Sequence, residues 1–151
     1  MNIILKFSLI FLILISLVSC SKTEADPETI YKDYLASIQA MNSMSENDYQ
    51  SFISSRAKAV VNDKIDAVNE DQLERFLTLF KAEAVLPEHS RVSLNSVNQD
   101  SPVLEILIEN YPEKGSSQKQ NVRFVQEHGW KIDKIEVTTS GEDFEFKSTT
   151  Y

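Results

Sequence analysis

Residues 122–133 read Val122-Arg123-Phe124-Val125-Gln126-Glu127-His128-Gly129-Trp130-Lys131-Ile132-Asp133. Val122 and Phe124 alternate with Asn121 and Arg123, Glu127-His128-Gly129 supplies a tight turn, and Trp130 and Ile132 resume the alternation. A period of two on both sides of a glycine turn is a β-hairpin with one apolar face. Ile135 and Val137 then fall on the opposite phase. The sequence therefore predicts a β-bulge near Asp133-Lys134, which keeps Trp130, Ile132, Ile135 and Val137 all inward.

Upstream of this hairpin, the period of two persists back to Pro87. Val92 and Leu94 alternate in one strand, and residues 103–111 form the longest, with Leu104, Ile106 and Ile108 on one face and Glu105 and Glu109 on the other. Residues 112–116 carry the Pro and Gly of a turn. Before Pro87 the period is helical. Asp26-Pro27-Glu28 opens a first helix as N-cap, first helical position and first-turn acid, followed by Ile30, Tyr31, Tyr34, Leu35, Ile38 and Met41 on one face. Ser45 and Asp48 form a variant capping box for a second helix burying Tyr49, Phe52, Ile53, the stem of Arg56, Val60 and Val61. Asn69 and Gln72 start a third, with Leu73, Phe76, Leu77 and Phe80. Helices first and an antiparallel meander afterwards predict an α+β fold, the N-terminal helices packed on one face of a curved antiparallel sheet.

The chain has 151 residues, with 15 basic and 23 acidic side chains. Without Lys6, the one charge among residues 1–19, 14 basic residues remain against those 23 acids. Nucleic-acid binding is thereby disfavoured, because a phosphate backbone is held by Lys and Arg. Residues 1–20 have a charged start, an apolar run over residues 7–15 and a small-residue exit, the layout of a secretory signal peptide over residues 1–19. The 16 residues from position 3 to 18 include Lys6 and fall short of the ~20 apolar residues that cross a bilayer. Cys20 is the only cysteine. An unpaired thiol in an exported protein calls for an explanation.

Leu17-Val18-Ser19-Cys20 resembles the lipobox of bacterial lipoproteins, with Leu three places before the Cys and small residues between. The resemblance implies that Cys20 receives a diacylglycerol on its sulfur, that cleavage precedes it, and that its new amine is then acylated. Two or three acyl chains make a durable membrane anchor, whereas one would be marginal. In the Gram-negative sorting scheme, an Asp after the Cys favours the inner membrane. Ser21 stands there instead, which implies the outer membrane, periplasmic face. Residues 20–26 would be the lipidated Cys and a short tether, since residues 21–25 span no more than about 18 Å when extended.

Residues 122–133 resemble the last hairpin of the nuclear-transport-factor-2-like fold, also described as a cystatin-like roll, which small bacterial lipoproteins commonly carry. The order of elements extends that likeness over residues 27–137. The superfamily includes isomerases, cyclases and dehydratases that use an Asp or His with a Tyr in the cone between helices and sheet. Here Tyr31, Tyr34 and Tyr49 lie on apolar helix faces, but the inward sheet face carries neither acid nor His. The tyrosines read as core rings with their hydroxyls at a wet edge.

His89 and His128 lack the spacing of a metal site and read as exposed loop residues. Three glycines build neither a phosphate loop nor a nucleophile elbow. No catalytic residue, cofactor or metal ligand is assigned, and Cys20 is the one site. Residues 138–151, with Phe144 and Phe146, are a C-terminal tail or an edge strand, or a docking segment for a partner. The sequence thus describes a non-enzymatic, lipid-anchored, periplasm-facing binding or scaffolding module. Its partners would be the membrane through Cys20 and an envelope protein or small apolar ligand. The alternatives are a roll-type enzyme and a lipid carrier with an unfilled cone.

Overall fold

The protein is described as a computed structural model covering residues 25–95 and 101–151. Among the described residues, three α-helices precede five strands: α1 (Pro27–Ala40), α2 (Ser55–Asp66), α3 (Glu70–Glu83), then β1 (Arg91–Asn95), β2 (Val103–Glu109), β3 (Ser117–Gln126), β4 (Trp130–Ser140) and β5 (Glu145–Thr149). The strands form one antiparallel sheet in the order β1-β2-β3-β4-β5, with the helices packed against it. This is the α+β architecture expected from the change of period at Pro87, an arrangement consistent with a curved-sheet roll.

Local chemistry sets the helix starts. The Asp26 carboxylate accepts the backbone N–H groups of Glu28 and Thr29, each at 3.0 Å, which satisfies donors that have no partner inside the helix. Asn69 and Gln72 form a reciprocal capping box at α3, both bonds at 3.0 Å. From α1, Ile30, Tyr31, Tyr34, Leu35 and Ile38 project onto the sheet as one buried stripe. They meet Leu104, Ile106, Ile108, Val122, Phe124 and Ile132 from the inward sheet face, all fully buried or nearly so.

The second helix departs from expectation. Instead of one element through Tyr49 and Val61, a single 3-10 turn (Asp48–Ser51) is followed by an extended stretch before α2 begins. The cause is the edge of β4. Ile132 N–H donates to the Phe52 carbonyl at 2.9 Å and Ser54 N–H donates to the Ile132 carbonyl at 2.8 Å, so Ile53 joins β4 as a parallel bridge. Residues 136–140 of β4 pair with β5. The bridge supplies partners to the backbone that β5 leaves uncovered, at the cost of interrupting the helix. Val60, expected in the core, is only half-buried in α2.

The expected bulge is present. Arg123 pairs with Lys134 and Phe124 with Ile132, which leaves Asp133 as the extra residue of β4. Ile132 and Ile135 are both buried as a result, whereas Val137 and Trp130 are only half-buried against the core. Trp130 opens β4 opposite Gln126, at the hairpin end of the sheet. The turn between these strands places His128 at φ 54° and Gly129 at φ 116°. Gly is suited to such a conformation because it has no Cβ. Leu94 pairs with Leu104 but is 50% exposed, since β1 is an edge strand. Residues 145–149, which the sequence left open between tail and strand, pair with β4 as β5.

The ring of Phe124 is enclosed on all sides and that of Trp130 is not. Phe124→Ala should therefore cost roughly 3–5 kcal/mol, as large aromatic truncations in cores do. Trp130→Ala should cost about 1–2 kcal/mol for its half-buried surface. Denaturant unfolding of both variants checks the ranking, and equal losses would place Trp130 in the core proper.

Candidate functional site

The space between α1 and the sheet is where a roll would hold a ligand or a catalytic pair, and tyrosines fill it. Tyr31, Tyr34 and Tyr49 are all buried, so their hydroxyls do not sit at a wet edge as the sequence reading had them. Each hydroxyl that the helix carries inward from α1 meets a polar group that periodicity alone did not single out. Tyr31 donates to the Gln120 side-chain oxygen at 2.8 Å, and the Tyr34 hydroxyl bonds that of Tyr151. Gln120 precedes Val122 and Phe124 by two and four residues, so the period of two carries it inward with them. Tyr151 had no such signal.

The rings are packed as well as bonded. Tyr31 stacks on Tyr34 with centroids 6.1 Å apart, Tyr151 meets Tyr34 edge-on at 6.5 Å, and Tyr49 meets Phe80 edge-on at 5.4 Å. Among the described residues, a cavity of about 30 Å³, room for a water molecule, is lined by Tyr31, Tyr34, Leu35, Gln120 and Ile135 among others. Burial pushes the Tyr31, Tyr34 and Tyr151 hydroxyls well above the ordinary phenol range. They are therefore neutral donors and acceptors at physiological pH, Tyr31 satisfied by Gln120 and Tyr34 and Tyr151 by each other.

One buried acid was missed. The sequence reading placed no carboxylate inward, yet Asp133 is buried at the bulge. Its carboxylate accepts from Ser54 Oγ at 2.8 Å and Arg56 Nε at 2.9 Å, and lies 3.4 Å from Arg123 Nη2. Arg56 also bonds the Asp133 carbonyl. Ser54 Oγ in turn accepts the Ala57 N–H at 3.0 Å as the N-cap of α2. Glu127 adds to the same helix start, its carboxylate accepting from Ser55 N–H and Oγ, both at 2.9 Å. The cue was available: an inserted bulge residue keeps company with its inward neighbour, and Asp133 follows Ile132.

Burial raises the Asp133 pKa, but hydrogen bonds from Arg56 and Ser54, with the charges of Arg56 and Arg123, outweigh it and hold the carboxyl below its ordinary 3.8. A carboxylate kept ionised by two arginines is a poor general base. Its chemistry is that of a clasp between α2 and the sheet.

The remaining candidates lie on the surface. His89 and His128 are exposed, on a loop and at the hairpin tip, and the described residues contain no group of three metal-binding side chains. Cys20, with residues 1–24, lies outside the described residues. A groove of about 440 Å³ runs between the loop after α1 and the face of α3, walled by Asn42, Ser43, Met44 and Ser45 and by Glu70, Leu73, Glu74 and Leu77. On the opposite, uncovered sheet face, a second groove of about 360 Å³ lies over the Lys119–Glu105 pair, 3.2 Å apart.

Because the folded Asp133 has the lower pKa, its contribution is complete above the ordinary value of 3.8 and disappears as the pH falls through the folded value. Asp133→Asn should lower stability at neutral pH by roughly 1–3 kcal/mol, a charged hydrogen-bond set lost. Thermal melts of both proteins from pH 7 down to about 2 should converge at the acid end. Parallel curves would mean that Asp133 does not carry the acid sensitivity.

Compared with known proteins, the chain matches no family model, no curated protein and no solved structure.

Proposed function

We propose that this chain is a lipid-anchored envelope protein, held to the membrane through Cys20 and facing the periplasm at the outer membrane, whose α+β domain is a non-catalytic binding or scaffolding module of the cystatin-like roll kind. The observation that supports a binding module is the packed interior. A site for a small apolar ligand typically offers about 300–1,000 Å³, whereas the space between α1 and the sheet offers about 30 Å³. Of the tyrosines that could have lined a reaction chamber, Tyr31 is bonded to Gln120 and Tyr34 to Tyr151. Recognition then falls to the outer surface, where the groove of about 440 Å³ beside α3 combines apolar Met44, Leu73 and Leu77 with acidic rims at Glu70 and Glu74.

The anchor reading rests on sequence. A lone Cys closes an apolar run too short to span a bilayer, and no helix among the described residues is long and apolar enough to do so. The domain starts at Pro27, so the tether would keep it within about 20 Å of the bilayer.

Metabolic labelling with a fatty acid tests the anchor. The wild-type chain should take up label and fractionate with outer membranes, and Cys20→Ala should do neither; label retained by the variant excludes Cys20 as the attachment point. The packed interior has its own test. A fluorescent fatty acid titrated into the protein should show no saturable binding, and saturable binding sensitive to Tyr34→Phe would favour the lipid-carrier alternative.

A further inference from the structure

β5 is the last strand of the sheet, all five of its residues are exposed, and among the described residues only β4 pairs with it. Phe146 is 63% exposed and Phe144 47%. An exposed edge carrying large aromatics is a template for another strand. Lys147 would ordinarily blunt such an edge, but Glu145 stands two residues before it and pairs with it at 2.9 Å. Opposite charges two residues apart on one strand are self-complementary when a second copy runs antiparallel.

We propose that this edge joins a second copy of the same chain, β5 against β5 in antiparallel register with Phe146 on the two-fold axis. The backbone restricts the registers first. Gly141 N–H donates to the Phe144 carbonyl and Thr150 N–H to the Ile135 carbonyl, both at 3.0 Å. Antiparallel ladders alternate, so residues 144, 146, 148 and 150 aim their backbone groups at β4, and 145, 147 and 149 aim theirs outward. A two-fold register must set outward groups opposite outward groups, which requires the axis to pass through a residue and not between residues. Of the three residues near the strand centre, an axis at Glu145 opposes two glutamates and an axis at Lys147 opposes two lysines. Only the axis at Phe146 sets Glu145 against Lys147 of the partner copy on both sides.

That register has further consequences. Phe146 meets its own copy in a non-hydrogen-bonded pair, the closer of the two antiparallel spacings and one that favours aromatic contact. Phe144 comes opposite Ser148, which borders a groove of about 200 Å³ lined by Phe76, Leu79 and Phe80. Leu79 is itself 63% exposed there. The two sheets become one ten-stranded sheet, and the interface is isologous, the commonest symmetry for a soluble assembly.

Sedimentation of the full chain in detergent micelles tests this with a charge exchange. The wild type should show a concentration-dependent dimer. Glu145→Lys and Lys147→Glu should each weaken it by at least about tenfold, because both cross-strand pairs turn from attractive to repulsive. The double variant Glu145→Lys/Lys147→Glu should restore dimerisation, since it exchanges the charges without changing the register. Circular dichroism confirms that each variant is folded, as substitutions at exposed positions should leave it. A wild-type monomer up to about 100 µM overturns the proposal and leaves the edge to an extended segment of another protein. Single variants that dimerise like wild type, or a double variant that stays monomeric, overturn it as well.

Discussion

The extra residue at Asp133 is the constraint on which the other elements depend. Without it, the period of two would send either Trp130 and Ile132 or Ile135 and Val137 to the outer face. With it, Ile132 and Ile135 both enter the core, and the carboxylate between them turns towards the start of α2. Ser54 and Arg56 close on that carboxylate, and Ser54 simultaneously caps α2. The parallel bridge at Ile53 then satisfies the backbone of β4 on the side that β5 does not reach. A bulge, a cap, an ion pair and a strand pairing thus share one turn of chain.

The interior shows a related economy. Tyrosine hydroxyls are costly to bury without partners, and three inward-facing tyrosines could have held a polar chamber open. Here Gln120 and Tyr151 supply partners to Tyr31 and Tyr34 while their own bodies occupy the volume, and Tyr49 packs edge-on against Phe80. The domain keeps a polar network within its apolar core, beside a cavity of about 30 Å³. The larger open features lie outside that network, at the groove beside α3 and along the edge of β5.

The charge distribution agrees with this division. The uncovered sheet face carries cross-strand or neighbouring pairs such as Arg91–Glu109 and Lys119–Glu105, which are exposed or partly exposed and contribute little to stability. Their value is to keep that face soluble while the other is buried. At β5 the same kind of pair, Glu145 with Lys147, sits at an edge, where it can select a partner and a register.

Sequence by itself determined the class of each segment, because periodicity and capping are local. The N-caps at Asp26 and Asn69, the inward set Leu104, Ile106, Ile108, Val122 and Phe124, and the bulge at Asp133-Lys134 all follow from residue spacing. So does the order of helices and strands. What only the tertiary structure decided depends on neighbours far along the chain. The second helix gives way at residues 52–54 because the edge of β4 needs hydrogen-bond partners, and no local signal announces that need. Trp130 and Leu94 have the right phase but lie at the margins of the sheet, where no helix covers them fully. Tyr151 enters the core only because β5 folds back along β4, and Tyr34 lies 117 residues before it. Period and propensity specify which way a side chain points; what it meets there is set by the packing of distant elements.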